Sequence, residues 1–86
     1  MPKITVYTTP WCSYCHSAKA LLSRKGAAFE EIDVSHDPEL RRYMTLKARG
    51  CRTVPQIFIG ETHVGGSDEL HELDREGGLD PLLELA

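Results

Sequence analysis

Cys12 and Cys15 stand three residues apart in the segment Thr9-Pro10-Trp11-Cys12-Ser13-Tyr14-Cys15. The apolar alternation of Ile4, Val6 and Tyr7 precedes them, and a helical pattern follows. That order puts Cys12 at a helix start. Unpaired backbone N–H groups and the positive end of the helix dipole gather there, and both favour thiolate over thiol. The thiolate is the nucleophile. The position predicts a fall in the Cys12 pKa from ~8.5 into a range of roughly 3.5–7.5. One turn later Cys15 lies on the same face, within reach of a disulfide with Cys12. Cys15 sits deeper in the helix, so it keeps the higher pKa and suits the part of resolving thiol. In outline this is a dithiol redox centre; Pro10, Trp11 and the strand-to-helix turn place Cys12 at a surface and argue against a pair of inert core cysteines.

Two other chemistries use cysteines at this spacing. Cys12-Ser13-Tyr14-Cys15-His16 matches the haem-attachment pattern C-x-x-C-H. Covalent haem asks for an exported chain, whereas Met1-Pro2-Lys3 leads straight into a strand pattern rather than a signal peptide. It also asks for a distal ligand, and neither Met1 nor Met44 falls in a suitable loop. Structural zinc takes four ligands, often as two close pairs. Here there is one pair; Cys51 stands alone and the four histidines are scattered. No metal site is expected on this count, and His16 reads as a surface residue.

Thr53-Val54-Pro55 is the second informative segment. A proline at a strand start cannot donate to the ladder and leaves neighbouring backbone groups open. A cis bond here would turn the Val54 backbone toward Cys12, and an open edge pairs with a peptide-like ligand. The plainer alternative is that Pro55 only starts an edge strand. The third segment is Gly65-Gly66-Ser67-Asp68. Two glycines allow a tight turn before a helix; this reads either as a plain turn or as an anion site formed by the N–H groups of Ser67 and Asp68. Asp68 could receive an ammonium group beside it. Most of the basic residues between 41 and 52 read as a solvated helix face. Arg52 is the exception, because it abuts Thr53.

These segments need a scaffold. Strands are expected over residues 3–8, 28–34 and 54–59. Gly60-Glu61 turns the last of them into a hairpin with His63-Val64. A helix is expected over 13–25, with Cys15, Ala18, Leu21 and Leu22 facing inward and Gly26 as its stop. A second starts at Asp37-Pro38, buries Leu40, Tyr43, Met44 and the stem of Lys47, and ends by Gly50. Ser67 caps a third that runs to about Arg75. Asp80-Pro81 starts a short last helix through Leu82, Leu83 and Leu85. The order β-α-β-α-β-β-α begins with a right-handed βαβ unit and closes with an antiparallel hairpin. A four-stranded mixed sheet with helices on both faces satisfies both, making the chain α/β. Eighty-six residues bury only a modest core, so residues 1–86 are expected to form one domain. The net charge of −3 gives no footprint for nucleic acid. No apolar run reaches membrane-spanning length. The expected setting is therefore cytoplasmic, where three cysteines point to catalysis or metal binding rather than to a disulfide framework.

With these segments in place, the chain closely resembles the glutaredoxins, in particular the short bacterial dithiol class. The carriers are Cys12-Ser13-Tyr14-Cys15, Thr53-Val54-Pro55-Gln56-Ile57-Phe58-Ile59, Gly65-Gly66-Ser67-Asp68-Glu69-Leu70 and Gly77-Gly78-Leu79-Asp80-Pro81-Leu82-Leu83. The resemblance implies a thioredoxin fold, a cis proline at Pro55 and glutathione as co-substrate. It implies reduction of glutathionylated proteins and protein disulfides by Cys12 and Cys15, with NADPH entering only through a separate glutathione reductase. It implies a glutathione site in which Tyr14 lines the groove and Val54, between Thr53 and Pro55, pairs with the ligand's backbone. Ser67 and Asp68, after Gly66, would hold its γ-glutamyl end.

Three positions depart from the family's common pattern. Ser13 stands where proline is frequent. Some relatives with serine there hold a glutathione-ligated [2Fe–2S] cluster between two subunits, with the residue at Cys12 as a ligand; the chain is otherwise expected to be a monomer. Thr9 stands where lysine is frequent, which leaves more of the thiolate's support to the helix start and Arg52. Ser67 stands where many relatives have cysteine, and backbone N–H contacts survive that change.

Overall fold

A computed structural model describes residues 2–84. The first strand, β1 (Ile4–Thr8), is hydrogen-bonded on both edges. A strand so placed can be apolar on both faces, and Ile4, Val6, Tyr7 and Thr8 are all buried. Helix α1 (Ser13–Arg24) follows, with Cys15, Ala18, Leu21 and Leu22 as its buried stripe. The chain leaves it through Gly26, at φ 70°. Strand β2 (Glu30–Asp33) runs parallel to β1. It is shorter than the expected 28–34 because it is an edge strand whose length is set by its single partner. Ile32 on it and Phe29 just before it still pack against the core.

Helix α2 (Pro38–Lys47) starts where expected, with the Asp37 carboxylate accepting the Leu40 N–H at 3.0 Å. Its inner face differs from the expected one. Met44 and Ala48 are buried one turn apart, Leu40 is half-buried, and Tyr43 is turned out and half exposed. The Lys47 ammonium lies 4.7 Å from the Phe58 ring centre and 5.6 Å from that of Tyr43. Strand β3 (Gln56–Ile59) begins two residues later than expected, and the Val54–Pro55 bond before it is cis. It pairs antiparallel with β1 and with β4 (Thr62–Gly65).

Helix α3 (Ser67–Arg75) is capped by Gly66, not by Ser67. The Glu69 carboxylate reaches back to accept the Gly66 N–H at 2.8 Å, so Ser67 is already the first helical residue. Helix α4 (Leu79–Leu82) likewise starts at Leu79 after Gly78 rather than at Asp80. Asp80 is engaged elsewhere: the Lys25 ammonium lies 2.8 Å from both Asp80 and Asp74, tying the end of α1 to α3 and α4. Leu85 lies outside the described residues.

The sheet order is β2-β1-β3-β4, mixed in direction. Alternation along its strands divides the core into two layers. Ile4, Val6, Ile57 and Ile59 meet Ala18, Leu22, Leu70, Leu79 and Leu83 from α1, α3 and the C-terminal segment. Tyr7 and Phe58 meet Met44 and Ala48 from α2 and the residue after it. This is the four-stranded mixed α/β sheet expected from the order of elements, and the thioredoxin-like fold that the resemblance implies. No described helix is long and apolar enough to cross a membrane.

Candidate functional site

Cys12 is the N-cap of α1, with extended backbone at φ −104° and ψ 109°. Its sulfur accepts the Cys15 N–H at 3.1 Å, the part that a serine or aspartate oxygen plays at other helix starts. The Cys12 thiol in turn faces the Val54 carbonyl at 3.6 Å. Thus the segment before β3, 42 residues further along the chain, stands directly against the sulfur. Cys12 is half-buried and Cys15 fully buried. Burial pushes the Cys15 thiol up to about 12, helped by its hydrogen bond to Cys12 and by the Cys12 charge. A backbone hydrogen bond from Thr9 and the charge of Lys19 pull the other way. Cys15 is therefore a neutral thiol at physiological pH. Trp11 beside the pair is 94% exposed, Tyr14 is exposed, and Cys51 is exposed and outside this centre.

Next to Cys12 opens a cavity of about 400 Å³. Tyr14 lines it from α1, Thr53, Val54 and Pro55 from the irregular segment before β3, and Gly66, Ser67, Asp68 and Glu69 from the start of α3. Three stretches far apart in sequence thus share one wall. Glycine is what lets two of them close up. Gly65 has φ 115°, and a Cβ on Gly66 would stand 3.2 Å from the Glu69 carboxylate and 3.5 Å from the Pro55 carbonyl. Ser67 and Asp68 are the first residues of the helix, where backbone N–H groups have no intrahelical acceptor. Among the described residues no hydrogen bond or ion pair engages the Asp68 carboxylate. The cavity can therefore take a molecule with a peptide-like middle beside Val54 and a carboxylate and an amine at one end.

Of the residues singled out from sequence, Tyr14, Thr53, Val54, Pro55, Gly66, Ser67 and Asp68 line this cavity, and Cys12 adjoins it. The Arg52 side chain does not line it; Arg52 is exposed and its carbonyl accepts from Arg41 at 2.9 Å. Glu69 is an addition. Its place three residues after Gly66, as in a capping box, is the signal that would have found it. A larger groove of about 470 Å³ lies between β4 and α3, floored by Val64, Leu73 and Leu82, and carries no thiol. Among the described residues no three His, Cys, Asp or Glu side chains converge on a point that could hold a metal ion.

Known proteins match both the sequence and the shape. The glutaredoxin family pattern matches residues 4–64. A glutaredoxin of Pseudomonas aeruginosa is 59% identical over 83 residues, covering 96% of this chain and 98% of that protein. Glutaredoxin 3 of Escherichia coli K12 is 50% identical over 84 residues, covering 98% of this chain and all of that protein. The crystal structure of a buckwheat glutaredoxin–glutathione complex superposes with a TM-score of 0.88 at 30% identity, covering 99% of this chain and 83% of that one.

Proposed function

The chain belongs to the glutaredoxin family, and we propose that Cys12 and Cys15 carry its chemistry with glutathione held in the cavity beside Cys12. The enzyme is a glutathione-dependent thiol–disulfide oxidoreductase. One observation supports the residue assignment above the rest: the Cys12 sulfur, at the head of α1, faces the Val54 carbonyl that borders the cavity.

The Cys12 thiolate attacks the glutathione sulfur of a glutathionylated protein. The protein–glutathione S–S bond breaks, and the protein sulfur leaves as a thiolate that takes a proton from water. Cys12 is left joined to glutathione. A second glutathione thiolate attacks the glutathione sulfur of that mixed disulfide, releasing oxidised glutathione and the Cys12 thiolate. With a protein disulfide as substrate, the Cys12 thiolate breaks its S–S bond to form a Cys12–protein disulfide. The Cys15 sulfur, its proton passing to the leaving protein thiolate, then attacks Cys12, releasing the reduced protein and leaving the Cys12–Cys15 disulfide. Two glutathione thiols reduce that disulfide with release of oxidised glutathione. Cys15 is suited to that later part. Burial holds it as the neutral thiol while Cys12 is free, and the influence of the Cys12 charge on it is removed once that sulfur is in a disulfide. Glutathione would lie with its backbone along Thr53-Val54-Pro55, its γ-glutamyl carboxylate at the Ser67 and Asp68 N–H groups and its ammonium at the Asp68 carboxylate, with Tyr14 as the facing wall. Arg52 stands one residue outside that wall and would meet the ligand only as a nearby cation. The reaction consumes reduced glutathione, so a reducing, cytoplasmic setting is part of the same proposal.

The test is NADPH oxidation with a glutathionylated protein, glutathione and glutathione reductase. Turnover is expected only when both glutathione and that reductase are present. Equal turnover with thioredoxin reductase and no glutathione would replace this reading with a thioredoxin-like one.

A further inference from the structure

Gln56 is a polar residue only 2% exposed at the first position of β3, and its amide is fully engaged. Its Nε2 donates to the Thr53 carbonyl at 2.9 Å and approaches the Thr53 hydroxyl at 3.4 Å. Its Oε1 lies 2.7 Å from His63 Nε2. Because the Thr53 carbonyl can only accept, the amide nitrogen must face it, and the amide oxygen then faces the imidazole. His63 must therefore carry its proton on Nε2. The ring is held in that orientation by stacking on Phe58, with centroids 4.8 Å apart and planes 24° apart. Phe58 and His63 are cross-strand partners, and Gln56 lies two residues before Phe58 on the same face of β3. A chain of side chains thus runs from the edge strand β4 through buried Gln56 to Thr53.

Thr53 belongs to a segment with no ladder partner, which has to be fixed by something other than the sheet. It also lines the cavity and precedes the residue whose carbonyl faces Cys12. The geometry points to Gln56 and His63 as positioning residues: they set the backbone of residues 53–54 against which the glutathione moiety docks, without touching the reacting sulfur. The inference rests on the function proposed above. Losing one such bond loosens the docking backbone but removes no group that reacts, so the cost falls on binding.

The experiment compares His63→Phe, Gln56→Leu and His63→Gln with the parent chain in the coupled assay, alongside the alkylation rate of free Cys12. Phenylalanine keeps the stack on Phe58 and removes the donor; glutamine restores an N–H donor. His63→Phe and Gln56→Leu are expected to raise KM for the glutathionylated substrate about five- to tenfold, the cost of one hydrogen bond. Their kcat and Cys12 alkylation rates should stay within about twofold, and His63→Gln should recover most of the lost KM. Should Gln56→Leu fail to fold, His63→Phe carries the test, since His63 is half-exposed and its ring shape is kept. An active parent with unchanged KM in the folded variants, or a loss of kcat and of alkylation together, would overturn the positioning role. A parent with no glutathione-dependent turnover would overturn the function beneath it as well.

Discussion

Removing a glutathione cap takes one enzyme thiol, because the enzyme–glutathione disulfide is open to attack from solution. Reducing a protein disulfide through an internal step takes two. Cys12→Ser is therefore expected to abolish both activities. Cys15→Ser should keep deglutathionylation and lose dithiol reduction; loss of both in a folded Cys15→Ser would reverse the assignment of the two thiols. Asp68 has a different part. Asp68→Ala should raise KM for glutathione about tenfold, the low end for a charge-assisted hydrogen bond at an exposed position. Alkylation of Cys12 should be unaffected by that change, and an unchanged KM would send the search for the γ-glutamyl site to Arg41, Arg42 and Arg52. The residues with a local signature were readable from sequence: two thiols three apart before a helix, a proline before a strand, two glycines before another helix. Gln56, His63 and Glu69 were not singled out, because their parts depend on which side chain lies across the strand or back over the helix start.

Helix starts were more readable than strand ends. Asp37-Pro38 states its own role, since the side chain that satisfies Leu40 N–H is local. The ends of β2 and β3 are decided by partners, so β2 stops with the length of its pairing to β1 and β3 waits until after Pro55. At α3 a glutamate three residues on moved the cap from Ser67 to Gly66. The buried face of α1 matched its period throughout, and one residue on it carries a pH dependence. The fold holds the Cys15 proton more tightly than the unfolded chain, with the pKa raised from 9.0 to about 12, first through burial. A raised value favours the folded state fully below the unfolded pKa, and that advantage is lost as pH climbs from 9.0 toward about 12. Tyr7, raised chiefly by burial, adds to the same alkaline loss. Melting temperatures followed from neutral to strongly alkaline pH should fall steeply for the parent and less steeply for Cys15→Ala. Parallel curves would contradict the assignment of the slope to Cys15.

Across the molecule, the order of elements and the two-sided sheet followed from alternation and from the βαβ start, while the pairing of β3 beside β1 needed the packing of α1 and α3 to select it. Leu70 of α3 is fully buried in the core layer it shares with α1 and the sheet. Leu70→Ala should cost about 2–5 kcal/mol, a large share of the roughly 5–15 kcal/mol that holds a domain of this kind folded. Denaturant unfolding gives the number, and a loss below about 1 kcal/mol would mean that the helices close over the gap. Cys12 alkylation in the surviving folded fraction should be little changed, since the Leu70 side chain carries no group that polarises or reacts with the sulfur. One exposed side chain gives the protein a use beyond its own reaction. Trp11 is the sole tryptophan, almost wholly in water, and is joined by one peptide bond to the residue whose sulfur changes partners. Its indole is thus a built-in optical reporter: every exchange at the neighbouring atom alters the surroundings of a single emitter, and stopped-flow fluorescence can time each bond made and broken without any added dye.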